Sequence, residues 1–267
     1  MTTVTGVPVL EVLATNRRRR TLLVETAIVL AISLGQSAVY SVLSIIERLT
    51  RAVPLAQQTS QLNTSATPDR PWLDLAYQLA NVGFGIVPAL LAVHLLASRF
   101  VPRGGVAAAL GTSPRRVGRD LVWGVGVAAG IGIPGLGLYL GARALGINTT
   151  VQAANLGENW WTVPVLVLAA AMNGVLEEVV MIGYLVTRWL QAGWRTWVVV
   201  ACSALIRGAY HLYQGFGGFV GNLVMGLIFG VFFVKVRRIW PLVIAHTLLD
   251  VASFVGYSFL AGRVSWL

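Results

Sequence analysis

Six side chains able to carry charge or transfer protons lie inside apolar stretches of the C-terminal half: Glu177, Glu178, Arg207, His211, His246 and Asp250. An ionisable group at membrane depth costs roughly 2.5 to 3.5 kcal/mol on insertion scales, so such groups mark pairing, an ion or chemistry. Residues four apart on a helix share a face. Arg207 and His211 therefore present one face, and His246 and Asp250 another. Glu177 and Glu178 are adjacent and stand about 100° apart on a helix of 3.6 residues per turn. They are not expected to address one target: one acts in the reaction and the other orients a partner. Two chemistries fit this set. His211, His246 and Glu177 are a donor set for a divalent metal, zinc before others, or a glutamate base holds a water beside the imidazoles.

Two further polar residues are read as supporting. Asn222, in a glycine-rich apolar run, is either helix-to-helix glue or a site partner. His94, alone in its run, is expected to be a packed or hydrogen-bonded structural residue. The glycine-rich stretch from Gln214 to Gly221 follows no strand, so it reads as a loop and a close-packed helix start rather than a phosphate cradle.

The elements that must position these residues are membrane spans. Of 267 residues 56% are hydrophobic and 11% charged, with a mean hydropathy of +0.74, against roughly 45–50% and 25% in a soluble domain. The net charge of +10 does not point to nucleic acid, because the basic residues punctuate apolar runs instead of gathering on one soluble face. Cys202, the single cysteine, leaves no intrachain disulfide framework or multi-cysteine metal site.

Apolar runs at 22–46, 73–98, 120–145, 162–187, 196–213, 219–234 and 240–259 predict about seven transmembrane helices, within a range of six to eight, in an all-α integral membrane protein. The first run follows Arg17 to Arg20 but exceeds the roughly 7–15 residues of a cleaved signal, so it is expected to be retained. Placing residues 1–21 in the cytoplasm puts 14 of the 20 basic residues on the inside, including Arg188 and Arg238, and five outside. Trp72, Trp160, Trp161, Trp189, Trp194, Trp197 and Trp240 fall at the run ends, where the indole favours the interface. The polar, proline-containing segment 47–71 is expected to be an external loop. If the spans are straight, Glu178 lies about 15 Å from Arg188, His211 about 24 Å from Arg195 and His246 about 9 Å from Trp240. These depths do not meet, so either the fourth helix continues past Arg188 or the fifth starts late and tilts.

Three ordered motifs resemble those of the CPBP intramembrane proteases, also called the CAAX protease or Abi family. The stretch Glu177-Glu178-Val179-Val180-Met181-Ile182-Gly183-Tyr184-Leu185 is similar to the first motif, His211 matches the histidine of the second, and His246 with Asp250 matches the last. The resemblance spans about Pro164 to Gly256. Two positions depart from it: Ile182 stands where the motif has arginine, and Arg207 where the second motif has phenylalanine. The displaced positive charge is expected to pair with Glu177 or Glu178 across the helix interface.

The resemblance implies a C-terminal four-helix core over 161–260, behind the N-terminal helices and loops of 22–160. It also implies hydrolysis of a peptide bond in a membrane-embedded peptide or protein, such as removal of the C-terminal tripeptide of a prenylated protein. In that chemistry Glu177 activates water with His211 beside it, His246 and Asp250 position the carbonyl and stabilise the oxyanion, and Glu178 orients. The alternative is a non-catalytic membrane scaffold or bacteriocin-immunity-type protein of the same fold. The use of 19 arginines to one lysine fits a GC-rich bacterial genome, hence the plasma membrane, with the lipid bilayer and the substrate as partners and no nucleic acid.

Overall fold

A computed structural model describes residues 9–264. The first eight residues of the expected N-terminal segment lie outside the described residues, and α1, Val9–Ala31, already begins within that segment. It is followed by α2 (Leu34–Leu49), β1 (Thr59–Gln61), α3 (Pro71–Gly85), α4 (Val87–Ser98), α5 (Gly105–Leu110) and α6 (Val117–Ala144). Then come β2 (Thr150–Gln152), α7 (Thr162–Glu177), a π-helical segment Glu178–Tyr184, α8 (Leu185–Gln191), α9 (Thr196–Tyr210), α10 (Phe216–Val236) and α11 (Trp240–Leu260).

Among the described residues, five helical stretches are long and apolar enough to cross a bilayer: Pro71–Ser98, Val117–Ala144, Thr162–Gln191, Phe216–Val236 and Trp240–Leu260. The first expected span is two helices, α1 and α2, bent by 55° at a short break, and counts as a sixth if taken as one. The run expected at 196–213 is a helix of 15 residues that stops at Tyr210. At 1.5 Å per residue it reaches about 22 Å, short of the roughly 30 Å hydrocarbon core. The fourth helix does continue past Arg188, to Gln191, which adds about 4.5 Å to its reach from Glu178 and narrows the difference from His211 without bringing His246 to the same depth. Its segment Glu178 to Tyr184 is buried throughout, making it the axis around which α4, α9, α10 and α11 gather.

Small residues set the closest approaches, as membrane helices lack a hydrophobic drive between them and associate by fit. A Cβ on Gly226 of α10 would come within 2.8 Å of the Ala204 Cα of α9, so any larger residue there would force the two helices apart. The loop 47–71 is more ordered than expected. Its β1 pairs in parallel with β2, from Thr59 opposite Thr150 to Gln61 opposite Gln152. From this strand pair Ser60 Oγ donates to the Tyr213 carbonyl at 2.9 Å, and the Thr149 N–H and Oγ donate to the Gln214 carbonyl at 2.9 and 2.8 Å. The turn between α9 and α10 is thereby clamped. Gly215 closes it at a φ of +114°, where a Cβ would meet the Asn148 Cα at 2.7 Å.

Two basic residues assigned to inside loops are buried instead. Arg188 is wholly buried and pairs with Glu25 of α1 at 2.9 Å. Arg238, between α10 and α11, donates from Nε to Asp120 Oδ1 at 2.6 Å and from Nη2 to the Ser113 carbonyl at 3.1 Å. Those bonds to Asp120 push the guanidinium pKa above its ordinary value. Desolvated arginine is tolerated only when paired and hydrogen-bonded. His94, expected to be packed, is exposed on α4.

Candidate active site

Glu177 closes α7, Glu178 opens the π-helical segment, Arg207 lies in the last turn of α9, His211 caps that helix, and His246 and Asp250 share a face of α11. The fold brings these six together. Arg207 Nη2 donates to Glu178 Oε1 at 2.5 Å, so the displaced charge does pair across the helix interface. The same oxygen is 2.7 Å from His246 Nδ1. On the other side of the imidazole, His246 Nε2 faces Glu177 Oε2 at 3.9 Å and Asp250 Oδ1 at 3.8 Å. Both distances exceed a direct hydrogen bond.

Glu177 and Glu178 thus do face one residue, contrary to the reading from an ideal α-helix. The helix leaves α-helical hydrogen bonding at Glu178 for the wider π turn, a distortion that recurs at functional sites. The imidazole also has two nitrogens on different sides, so one ring can meet two carboxylates.

Each member has a distinct surrounding. Glu178 is wholly buried, and among the described residues its Oε2 has no hydrogen-bond partner. The Arg207 guanidinium is equally buried, lies 5.3 Å from the centre of the Phe229 ring and leaves Nε and Nη1 without partners among the described residues. Glu177 accepts a 2.6 Å hydrogen bond at Oε2 from the Tyr210 hydroxyl, which leaves Oε1 for another donor. Asp250 accepts at Oδ2 from Asn173 Nδ2 at 3.0 Å. His211 Nδ1 lies 3.1 Å from the Arg207 carbonyl oxygen; a carbonyl only accepts, so Nδ1 carries the proton and Nε2 the lone pair in the neutral ring.

A cavity of about 570 Å³ is lined by Glu177, Tyr210, His211, Asn222, His246 and Asp250. Glu178 and Arg207 stand behind that wall. Asn222 donates to the Gly218 carbonyl of its own helix at 3.0 Å, so it contributes to the wall rather than to the charged cluster. For His211, His246 and Glu177 as metal ligands the geometry offers no match: among the described residues, no group of three or more His, Cys, Asp or Glu side chains is placed to hold a metal ion.

Reading the sequence missed Tyr210 and Asn173. Tyr210 sits in an apolar run and reads as core. Asn173 had a usable signal, since it precedes Glu177 by four residues and shares its helical face.

Residues 159–252 match the family model described as type II CAAX prenyl endopeptidase Rce1-like, a stretch shorter than half of the chain. No curated protein and no solved structure matches the chain. The matched stretch runs from just before α7 into α11 and contains both glutamates, both histidines, Arg207 and Asp250. The C-terminal helical region of this chain is thus similar to a Rce1-like type II CAAX prenyl endopeptidase domain, consistent with the CPBP family that its motifs resemble.

Proposed function

We propose that this protein is an intramembrane endopeptidase that hydrolyses a peptide bond of a membrane-associated peptide or protein, in the manner of a CAAX protease. The observation that carries this reading is the convergence of Glu177, His211, His246 and Asp250 on one cavity within a bundle of apolar helices. In this reading water donates a proton to Glu177 while its oxygen attacks the scissile carbonyl carbon, with His211 beside it. Tyr210 holds Glu177 Oε2 and so directs Oε1 at the water. In the cationic imidazole both nitrogens donate: Nδ1 of His246 to Glu178, and Nε2 to the oxyanion forming on the carbonyl. Collapse of the tetrahedral intermediate breaks the C–N bond, and the amine leaves with the proton from Glu177. Asp250, steadied by Asn173 and 3.8 Å from Nε2, helps hold the His246 ring in its cationic form and so positions the carbonyl that Nε2 meets. Glu178 fixes the His246 ring, and Arg207 balances the charge of Glu178.

What favours a non-catalytic scaffold is Ile182, which is buried where the motif has arginine. The guanidinium that Arg207 brings to Glu178 supplies a positive charge from another helix and weakens that ground. The asymmetry of arginines supports a cytoplasmic N-terminus in a bacterial plasma membrane.

The test is hydrolysis by the purified protein in liposomes of farnesylated C-terminal peptides and of transmembrane peptides, with products read by mass spectrometry. Cleavage lost in Glu177→Gln supports the reading. Absence of cleavage of every substrate, or full activity in Glu177→Gln, overturns it. Elemental analysis of the same preparation tests for zinc or another divalent ion.

A further inference from the structure

A second cavity, of about 650 Å³, lies away from the catalytic wall, between α1 and α4. Its α1 side is formed by Arg17, Arg20, Val24 and Ile28, and its α4 side by Leu91, Leu95 and Arg99. Spacings of three and four residues put each set on a single helical face. Both faces grade in the same direction, from arginine at one end to aliphatic residues at the other. From Arg17 to Ile28 the trench runs about 16 Å at 1.5 Å per residue.

The three arginines at its mouth are exposed, and among the described residues none has an acidic partner. Neighbouring Arg18 differs, being laid over the Phe100 ring at 5.1 Å. The wall is also rigid. Glu25 lines it and is tied to Arg188, which in turn bonds the carbonyls of Leu95 and Arg99 at 2.6 and 2.8 Å.

We propose that this trench is a binding site for an anionic glycerophospholipid, with the phosphate at Arg17, Arg20 and Arg99 and an acyl chain along Val24, Ile28, Leu91 and Leu95. A basic pocket between transmembrane helices attracts an anionic headgroup, and the aliphatic trench removes an acyl chain from competing contacts without exposing it to water. Arginine also holds a phosphate in two-point geometry. The bound lipid fills the gap between α1 and α4 beside the Glu25 to Arg188 pair, and so fastens the N-terminal helices to the core.

Native mass spectrometry of the delipidated full chain, titrated with dioleoylphosphatidylglycerol or dioleoylphosphatidylcholine, tests this. The wild type is expected to retain one phosphatidylglycerol in preference to phosphatidylcholine. Affinity should fall at least about tenfold in R17Q/R20Q/R99Q, and stay unchanged in R103Q/R116Q/R119Q, which removes the same charge from exposed positions elsewhere. Ile28→Trp keeps every arginine and fills the trench, and should also displace the lipid. Equal retention of phosphatidylcholine, unaltered affinity in both the arginine and the tryptophan variants, or competition by glycerol 3-phosphate at the same concentration as the lipid would overturn the proposal.

Discussion

Arg188 and Arg207 are both wholly buried and both pair with a glutamate on another helix, yet their surroundings differ. Arg188 gives Nε to Glu25, Nη1 to the Phe100 carbonyl and Gln191, and Nη2 to the carbonyls of Leu95 and Arg99. Every nitrogen is used, and three of the five acceptors are main-chain oxygens of Leu95, Arg99 and Phe100, in the last turn of α4 and just beyond it. Among the described residues Arg207 bonds Glu178 through Nη2 alone, with Nε and Nη1 unpartnered, and the oxygen it holds is shared with His246. A saturated guanidinium acts as a fastener, whereas one held by a single shared bond belongs to a group of residues whose charges must remain available to one another. Burial and pairing alone do not distinguish the two; the count of satisfied donors does.

The comparison can be broken from the catalytic side first. Glu177→Gln or His246→Ala should lower the rate of peptide hydrolysis by about 10³-fold, within the range for loss of a general base or an electrostatic group. Their melting temperatures in detergent should remain close to wild type. Wild-type rates in either variant would remove the site from the reaction.

On the fastener side, Arg188→Met leaves Glu25 buried without a counter-charge, held only by the Tyr184 hydroxyl at 2.9 Å, and should cost about 3 kcal/mol of stability. The double variant Glu25→Gln/Arg188→Met should regain most of the lost melting temperature, with hydrolysis per folded molecule little changed throughout. A fall in specific activity that matches the loss at the catalytic site would erase the distinction.

Arg207→Met sharpens it, with a drop of about 100-fold in kcat expected and KM less affected, because the His246 ring loses its balanced anchor. Arg207→Phe combined with Ile182→Arg returns a positive charge to the helix of Glu178 and should recover part of that loss. The smallest effect is expected from Tyr210→Phe, about tenfold in kcat, the equivalent of one hydrogen bond to a charged acceptor. An unchanged rate would mean that Glu177 is oriented without the phenol.

What could be read from the sequence divides along the same line. The spans were visible as apolar runs, and the candidate site as ionisable residues inside them. A pair of Arg207 with Glu177 or Glu178 followed from a charge missing at Ile182 and present four residues before His211, and the structure selects Glu178. The Arg188 to Glu25 pair was hidden, because an arginine at the end of an apolar run is indistinguishable from one marking topology, and its partner is 163 residues away. Arg238 and Asp120 were hidden for the same reason. The π-helical segment begins at Glu178 without a glycine or proline there to announce it, its one glycine, Gly183, lying five residues further on. The strands β1 and β2, three residues each, exist only by meeting each other and have no period long enough to detect.

That strand pair has a pharmacological consequence. It grips the turn that follows His211 through Ser60, Thr149 and their bonds to Tyr213 and Gln214, while Gln61 and Gln152 join side chains at 3.0 Å where the pair is exposed. An antibody fragment that binds across Thr59–Gln61 and Thr150–Gln152 and shifts their register would pull on that turn from solvent. It would disturb the imidazole in the cavity without itself having to partition into lipid, so an allosteric inhibitor of this protein need not be hydrophobic.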